Sequence, residues 1–168
     1  LRVLATNMNT TKGAVFSPSD TPQYPVAIAV CASMSYPIYF QNVICPVSGH
    51  SLSDGGVTSN YPMYIVPKEG HEETLAILLD LSVGRADSLD DLSPEQLLVR
   101  PLAIALTEKT NIETTLYRVE CIKIPLGDVN VLDFSLSEEV KRELVEKGRE
   151  ATRGWFRTRP RPVRRNSF

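Results

Sequence analysis

The run TLAILLDL, residues 74–81, restricts the fold more than any other stretch of the chain. Its apolar residues follow one another without alternation, and charged and turn residues bound it. A half-exposed strand alternates apolar with polar side chains, whereas a continuous run suits a central strand covered on both faces. Covering two faces calls for helices, and the sequence offers helical stretches to do it. PVAIAVCASMS (25–35) puts Pro25 at a helix start and small apolar residues after it, for close packing on a sheet, and Pro37 closes it. SPEQLLVRPLAIALTEKTNIETTLYRVE opens with Ser93 as N-cap and Pro94 at the first helical position. Pro101 lies inside that pattern and should kink or split the helix. SEEVKRELVEKGREATRGW starts with Ser137 as N-cap and Glu138 and Glu139 in its first turn. Val140, Leu144, Gly148, Ala151 and Trp155 then recur on one apolar face. LRVLAT, KGAVFS, IYFQNVICPV and CIKIPL read as extended segments. Strands separated by helices predict an α/β layered fold with a largely parallel sheet.

The chain has 168 residues, the length of one domain with a real core. The nearly uncharged run from Thr21 to Ser53 is interrupted by Pro22, Pro25, Pro37 and Pro46 and rich in polar residues, so it is no membrane span. Cys31, Cys45 and Cys121 are too far apart for a C-x-x-C pair, and His50 and His71 are the only histidines. The expectation is therefore buried free thiols in a reducing compartment, with no metal and no cofactor. Charge is uneven: twenty acids face twelve Lys and Arg before residue 153. Beyond that point come Arg153, Arg157, Arg159, Arg161, Arg164 and Arg165 with no acid. Such an end either stays solvated or rests on anionic lipid. The acidic body argues against nucleic acid. No basic cluster followed by a short apolar core opens the chain, and a cytoplasmic protein, in peripheral contact with a membrane, is expected. The abrupt start inside LRVLAT leads us to expect that the beginning of a larger domain is missing.

GHSLSDGG, residues 49–56, carries the candidate chemistry. A nucleophile elbow reads G-x-S-x-G between a strand and a helix. Here the fifth position is Ser53 and a loop follows, so Ser51 lacks the context of a nucleophile. An alternative pairs Ser51 with His71 as base; it needs a strand ending at Gly49 and a helix from about Leu52. Asp54 is placed differently, at the end of a short strand before Gly55 and Gly56. Glycines there allow positive φ and let a neighbouring segment or a substrate come close to the carboxylate. A plain Asp-Gly turn would look the same.

PVAIAVCASMSYPIYF, then LSDGGVTSNYP, then DFSLSEEVKRELVEKGREATRGW resemble, in order and spacing, the C-terminal half of patatin-like phospholipases. The family's A-x-x-A-S helix and turn maps onto Ala29, Ala32, Ser33, Pro37 and Phe40, and its D-G-[GA] motif onto Asp54, Gly55 and Gly56, with Asn60 and Pro62 after it. LRVLATNMNTTKGAVFS looks like the family's upstream strand pair, with Asn7 where relatives often have Asp. The likeness runs from Leu1 to about Trp155, leaving 156–168 as a basic tail. The resemblance implies a three-layer α/β/α sandwich, incomplete on its N-terminal side. It implies a Ser-Asp dyad acting on phospholipids or other lipid esters, with Asp54 as proton acceptor and His50 a solvated bystander. The family's G-x-G-x-x-G oxyanion loop and G-x-S-x-G elbow occur nowhere in residues 1–168. The missing half would come from upstream sequence, from a separate chain as partner, or be lost in an inactive relative. A non-catalytic lipid- or protein-binding module is the alternative. The polar, acidic stretch 83–96 is either a gate or a solvated connection.

Overall fold

The computed structural model describes residues 1–80, 89–127, 129 and 133–159. It divides into two compact units, one of Leu1–His71 with Pro94–Arg118, the other of Glu72–Ser93 with Val119–Phe168.

The first unit is built on a four-stranded sheet of β1 (Val3–Asn7), β2 (Lys12–Phe16), β3 (Val43–Ile44) and β4 (Ser51–Asp54), in the order β2-β1-β4-β3. Every pairing in it is antiparallel. β1 and β2 form a hairpin, from Val3 opposite Phe16 to Asn7 opposite Lys12. Asn7 shapes the turn: its Oδ1 accepts the N–H groups of Asn9 and Thr10, each at 3.1 Å. α1 (Val26–Ser33) crosses β1 and β4, with the small side chains of Ala29 and Ala32 buried beneath it. These two alanines join Ala5, Phe16, Cys45 and Leu52 in the core, and Val3, Ala14, Tyr24 and Val43 pack around them. A helix with methyl-sized contact residues can sit close to a sheet, which is why this stretch is rich in Ala.

Several expectations about these elements need correction. α1 ends at Ser33, four residues before Pro37, because Met34 already donates its N–H back to Val30 and Cys31 in a closing turn. IYFQNVICPV is extended only at Val43–Ile44. α2 (Pro94–Tyr117) does begin at Pro94 but runs unbroken through Pro101, which neither splits it nor ends it. One absent N–H is a local loss, and the hydrogen bonds on either side carry the helix past it.

In the second unit β5 (Leu75–Asp80) pairs with β6 (Glu120–Pro125) in parallel, Leu75 opposite Glu120 and Asp80 opposite Pro125. Among the described residues only these two strands pair in parallel, so the expectation of a largely parallel sheet is corrected: the four-stranded sheet of the first unit is antiparallel and the second unit holds one parallel pair. α3 (Glu138–Arg157) packs on β6. Ser137 caps it as expected, its Oγ accepting the Val140 N–H at 3.3 Å. Gly148 brings the helix near Ile124, and Lys147 Nζ donates to the Leu126 carbonyl at 3.0 Å. On β5 the alternate residues Leu75, Ile77 and Leu79 are exposed, Ile77 at 67%. The run that reads as a strand covered on both faces is therefore uncovered on one side. Stretch 83–96 falls partly outside the described residues; within it Leu89–Asp91 forms a single 3-10 turn. Of the basic tail, 160–168 lies outside them, and α3 itself extends through Arg157. No helix among the described residues is long and apolar enough to cross a membrane.

Candidate active site

Asp54 closes β4 and caps the 3-10 turn Gly55–Val57. Its carboxylate Oδ1 accepts the Gly56 N–H at 2.6 Å, its own N–H donates to the Ser35 carbonyl at 3.0 Å, and its carbonyl accepts the Thr6 hydroxyl at 2.7 Å. The Thr6 oxygen also accepts the Thr58 N–H at 3.1 Å and lies 2.6 Å from Thr58 Oγ1. With its one hydrogen given to Asp54, Thr6 must be the acceptor from Thr58. The loop around Asp54 is thus fixed from β1, while the carboxylate is left to Gly56.

The two glycines are required by close approach. Neither Gly55 nor Gly56 has positive φ, which corrects that part of the expectation; the left-handed glycines are Gly49 and Gly127. A Cβ on Gly55 would run into the Leu4 backbone, 2.9 Å from its carbonyl carbon. A Cβ on Gly56 would sit 2.8 Å from Asp54 Oδ1 and collide with Asn60 Oδ1. Asn60 is exposed and folds back over Gly56, next to the carboxylate. All four expected site residues, Asp54, Gly55, Gly56 and Asn60, line one open cavity of about 340 Å³. Ser33, Ser59 and Arg2 line it too.

Burial pushes the Asp54 carboxyl above its usual range, opposed by the Gly56 hydrogen bond. Among the described residues it has no ion-pair partner within 4.0 Å. Tyr36 is raised as well, first by burial and then by the negative charge of Asp54. Of the two serines in the cavity, Ser59 gives its hydroxyl to Glu113 Oε2 at 2.7 Å and accepts the Tyr61 N–H at 3.2 Å. Ser33 stands at the last position of α1.

Ser51 is no elbow serine. It lies within β4, not after a strand, and its Oγ accepts from Asn42 Nδ2 at 2.9 Å. His71 is bonded through Nε2 to the Val66 carbonyl at 3.0 Å and meets Tyr117 edge-on. His50, expected to be solvated, is half-buried with Nδ1 3.0 Å from Asn7 Nδ2. The thiols also differ from expectation: Cys45 is buried, Cys121 half-buried and Cys31 exposed. Burial pushes Cys45 up, but the Ser48 hydroxyl and the Ser48 and Val47 N–H groups outweigh it and bring it to about 7. Among the described residues no cluster of His, Cys, Asp and Glu could hold a metal ion. Thr6, Ser35 and Tyr36 were missed in the sequence, because nothing near them in the chain marks them as neighbours of Asp54.

A family model of patatin-like phospholipases matches residues 1–67, the segment that carries Asp54, Gly55, Gly56, Asn60 and the groups that bond the Asp54 backbone and carboxylate. Over that segment the chain is similar to the patatin-like phospholipase family. The chain is 26% identical over 165 residues to the uncharacterized protein YqhO of Bacillus subtilis strain 168, covering 90% of this chain. It spans about half of that relative, 55% of its length. The crystal structure of VipD from Legionella pneumophila matches its fold with a TM-score of 0.64 at 20% identity, over 94% of this chain and 31% of VipD.

Proposed function

We propose that this patatin-like chain is the acid-bearing part of a lipid acyl hydrolase, a phospholipase or esterase working through a Ser-Asp dyad. Asp54 is the base. The serine and the oxyanion loop belong to a preceding half of the same domain, which also completes a three-layer α/β/α sandwich. One observation carries the reading: a carboxylate with no counter-ion among the described residues, raised by burial, stands on a cavity wall between a strand end and two obligatory glycines. The family match over residues 1–67 supports the lipid class.

In this scheme the serine oxygen attacks the ester carbonyl as its proton passes to Asp54, and the carbonyl π pair moves onto oxygen. Collapse expels the alcohol, which takes the proton back from Asp54. Water repeats the sequence on the acyl-serine and releases the fatty acid. A base must be ionised, so the rate should rise with pH through the raised Asp54 value. The enzyme is placed in the cytoplasm, peripheral to a membrane. In the full-length protein, Asp54→Asn should lower ester cleavage by about 10²–10⁴-fold with little loss of stability. Full activity in that variant would remove Asp54 from the mechanism.

A second reading, a non-catalytic lipid- or protein-binding module, is favoured by the cavity's serines, neither of which bonds Asp54. A fluorophosphonate probe separates the two: labelling of a Gly-x-Ser-x-Gly serine in the full-length protein supports the enzyme, and none supports the binder.

A further inference from the structure

The C-terminal end of α3 has a composition that neither the core nor the dyad uses. Arg142, Val145, Arg149, Arg153 and Phe156 are spaced three and four residues apart, so they share one helix face. All five are exposed, Phe156 at 62%. The packed side instead carries the half-buried Leu144, Gly148, Ala151 and Trp155. Phe156 projects from a braced platform. Trp155 meets its ring edge-on at 4.9 Å, and Arg159 stacks on Trp155 at 3.9 Å while pairing with Glu120 of β6.

Charge is graded along the same helix. Its first part interleaves Glu138, Glu139, Glu143, Glu146 and Glu150 with Lys141, Arg142, Lys147 and Arg149. Two of these pairs are closed, Glu138 with Lys141 and Glu146 with Arg149. After Glu150 no acid occurs, and Arg153 and Arg157 flank the exposed ring.

The geometry points to an anionic lipid surface as the occupant of this helix end. Phe156 enters the boundary between headgroups and acyl chains, and Arg153 and Arg157 lie among the phosphates and carboxylates, their stems along the apolar layer. One apolar anchor ringed by arginines is the composition of an interfacial contact, since a protein groove would need a wider apolar stripe. The rest of the chain has excess acid and is repelled by the same surface, so this end is the side that faces it. The inference does not depend on the hydrolase reading.

The test is sedimentation of the 168-residue chain with vesicles of phosphatidylcholine alone and of phosphatidylcholine mixed with phosphatidylserine, following the emission of Trp155, the single tryptophan. Binding is expected only with phosphatidylserine, with a blue shift of Trp155 and weakening by salt. Arg153→Gln and Arg157→Gln should each reduce partition about fivefold. Phe156→Ala should reduce it several-fold, and Lys12→Gln, on the exposed hairpin, should leave it unchanged. Circular dichroism should show all variants folded. Equal binding to phosphatidylcholine, or no binding, overturns the assignment. So does an unchanged partition of Phe156→Ala, which would leave the contact to tail charge alone. A single-stranded oligonucleotide that binds as well as the vesicles through the same arginines would assign the face to nucleic acid instead.

Discussion

Asp54 is half-buried and draws one N–H, from Gly56, onto its carboxylate. Burial raises its pKa, so folding favours the protonated acid. That contribution to stability is full below the carboxyl's unfolded value and is lost as pH rises through the folded one. Asp54→Asn keeps an oxygen for Gly56 and has no charge to desolvate. It should melt at or above the parent's temperature at neutral pH, with the difference shrinking as pH falls through the carboxylate range. A variant that melts well below the parent at neutral pH would mean the ionised carboxylate holds the loop together. Gly55 makes the opposite case. Gly55→Ala forces a methyl group against the Leu4 backbone and should destabilise by about 1–3 kcal/mol, read from denaturant unfolding. The Asp-Gly-Gly triplet is visible in the sequence because its three residues are adjacent. Thr6, which donates to the Asp54 carbonyl from 48 positions away, is visible only once β1 and β4 pair.

α3 is the element that local chemistry specifies best. Its Ser137 cap, its acidic first turn and its apolar face all point to one answer, and the helix forms from Glu138 to Arg157 accordingly. α2 is held differently. Pro101 removes an N–H from the helix interior, and a proline ring inside a helix generally crowds the carbonyl four residues before it. Pro101→Ala should therefore stabilise the chain by about 1–3 kcal/mol, measured by chemical denaturation. An unchanged or lower stability would mean that Pro101 is accommodated by a bend which alanine cannot reproduce. β5 shows the limit of reading elements singly. The run from Leu75 to Leu79 is apolar enough for a strand covered on both faces, yet its alternate residues stand exposed beside β6. Periodicity reports what a strand tolerates, and packing depends on which neighbours the chain brings to it.

At the scale of the whole molecule, the proposed dyad needs a serine from outside residues 1–168. The 168-residue chain should show no ester turnover above buffer, whereas the full-length protein should hydrolyse lipid esters and lose this with Asp54→Asn. Turnover by the short chain that disappears with Ser33→Ala would identify Ser33, on the cavity wall, as the nucleophile instead. The sequence by itself determined where α2 and α3 begin and which acid stands between a strand end and two glycines, because caps, apolar spacing and turn residues act over a few positions. Only the tertiary structure decided that the four-stranded sheet is antiparallel, that Gly55 and Gly56 serve close packing, and that Asp54 faces a cavity with no counter-ion among the described residues. Strand direction, burial and pKa are set by groups distant in the chain, and they exist only after folding brings those groups together.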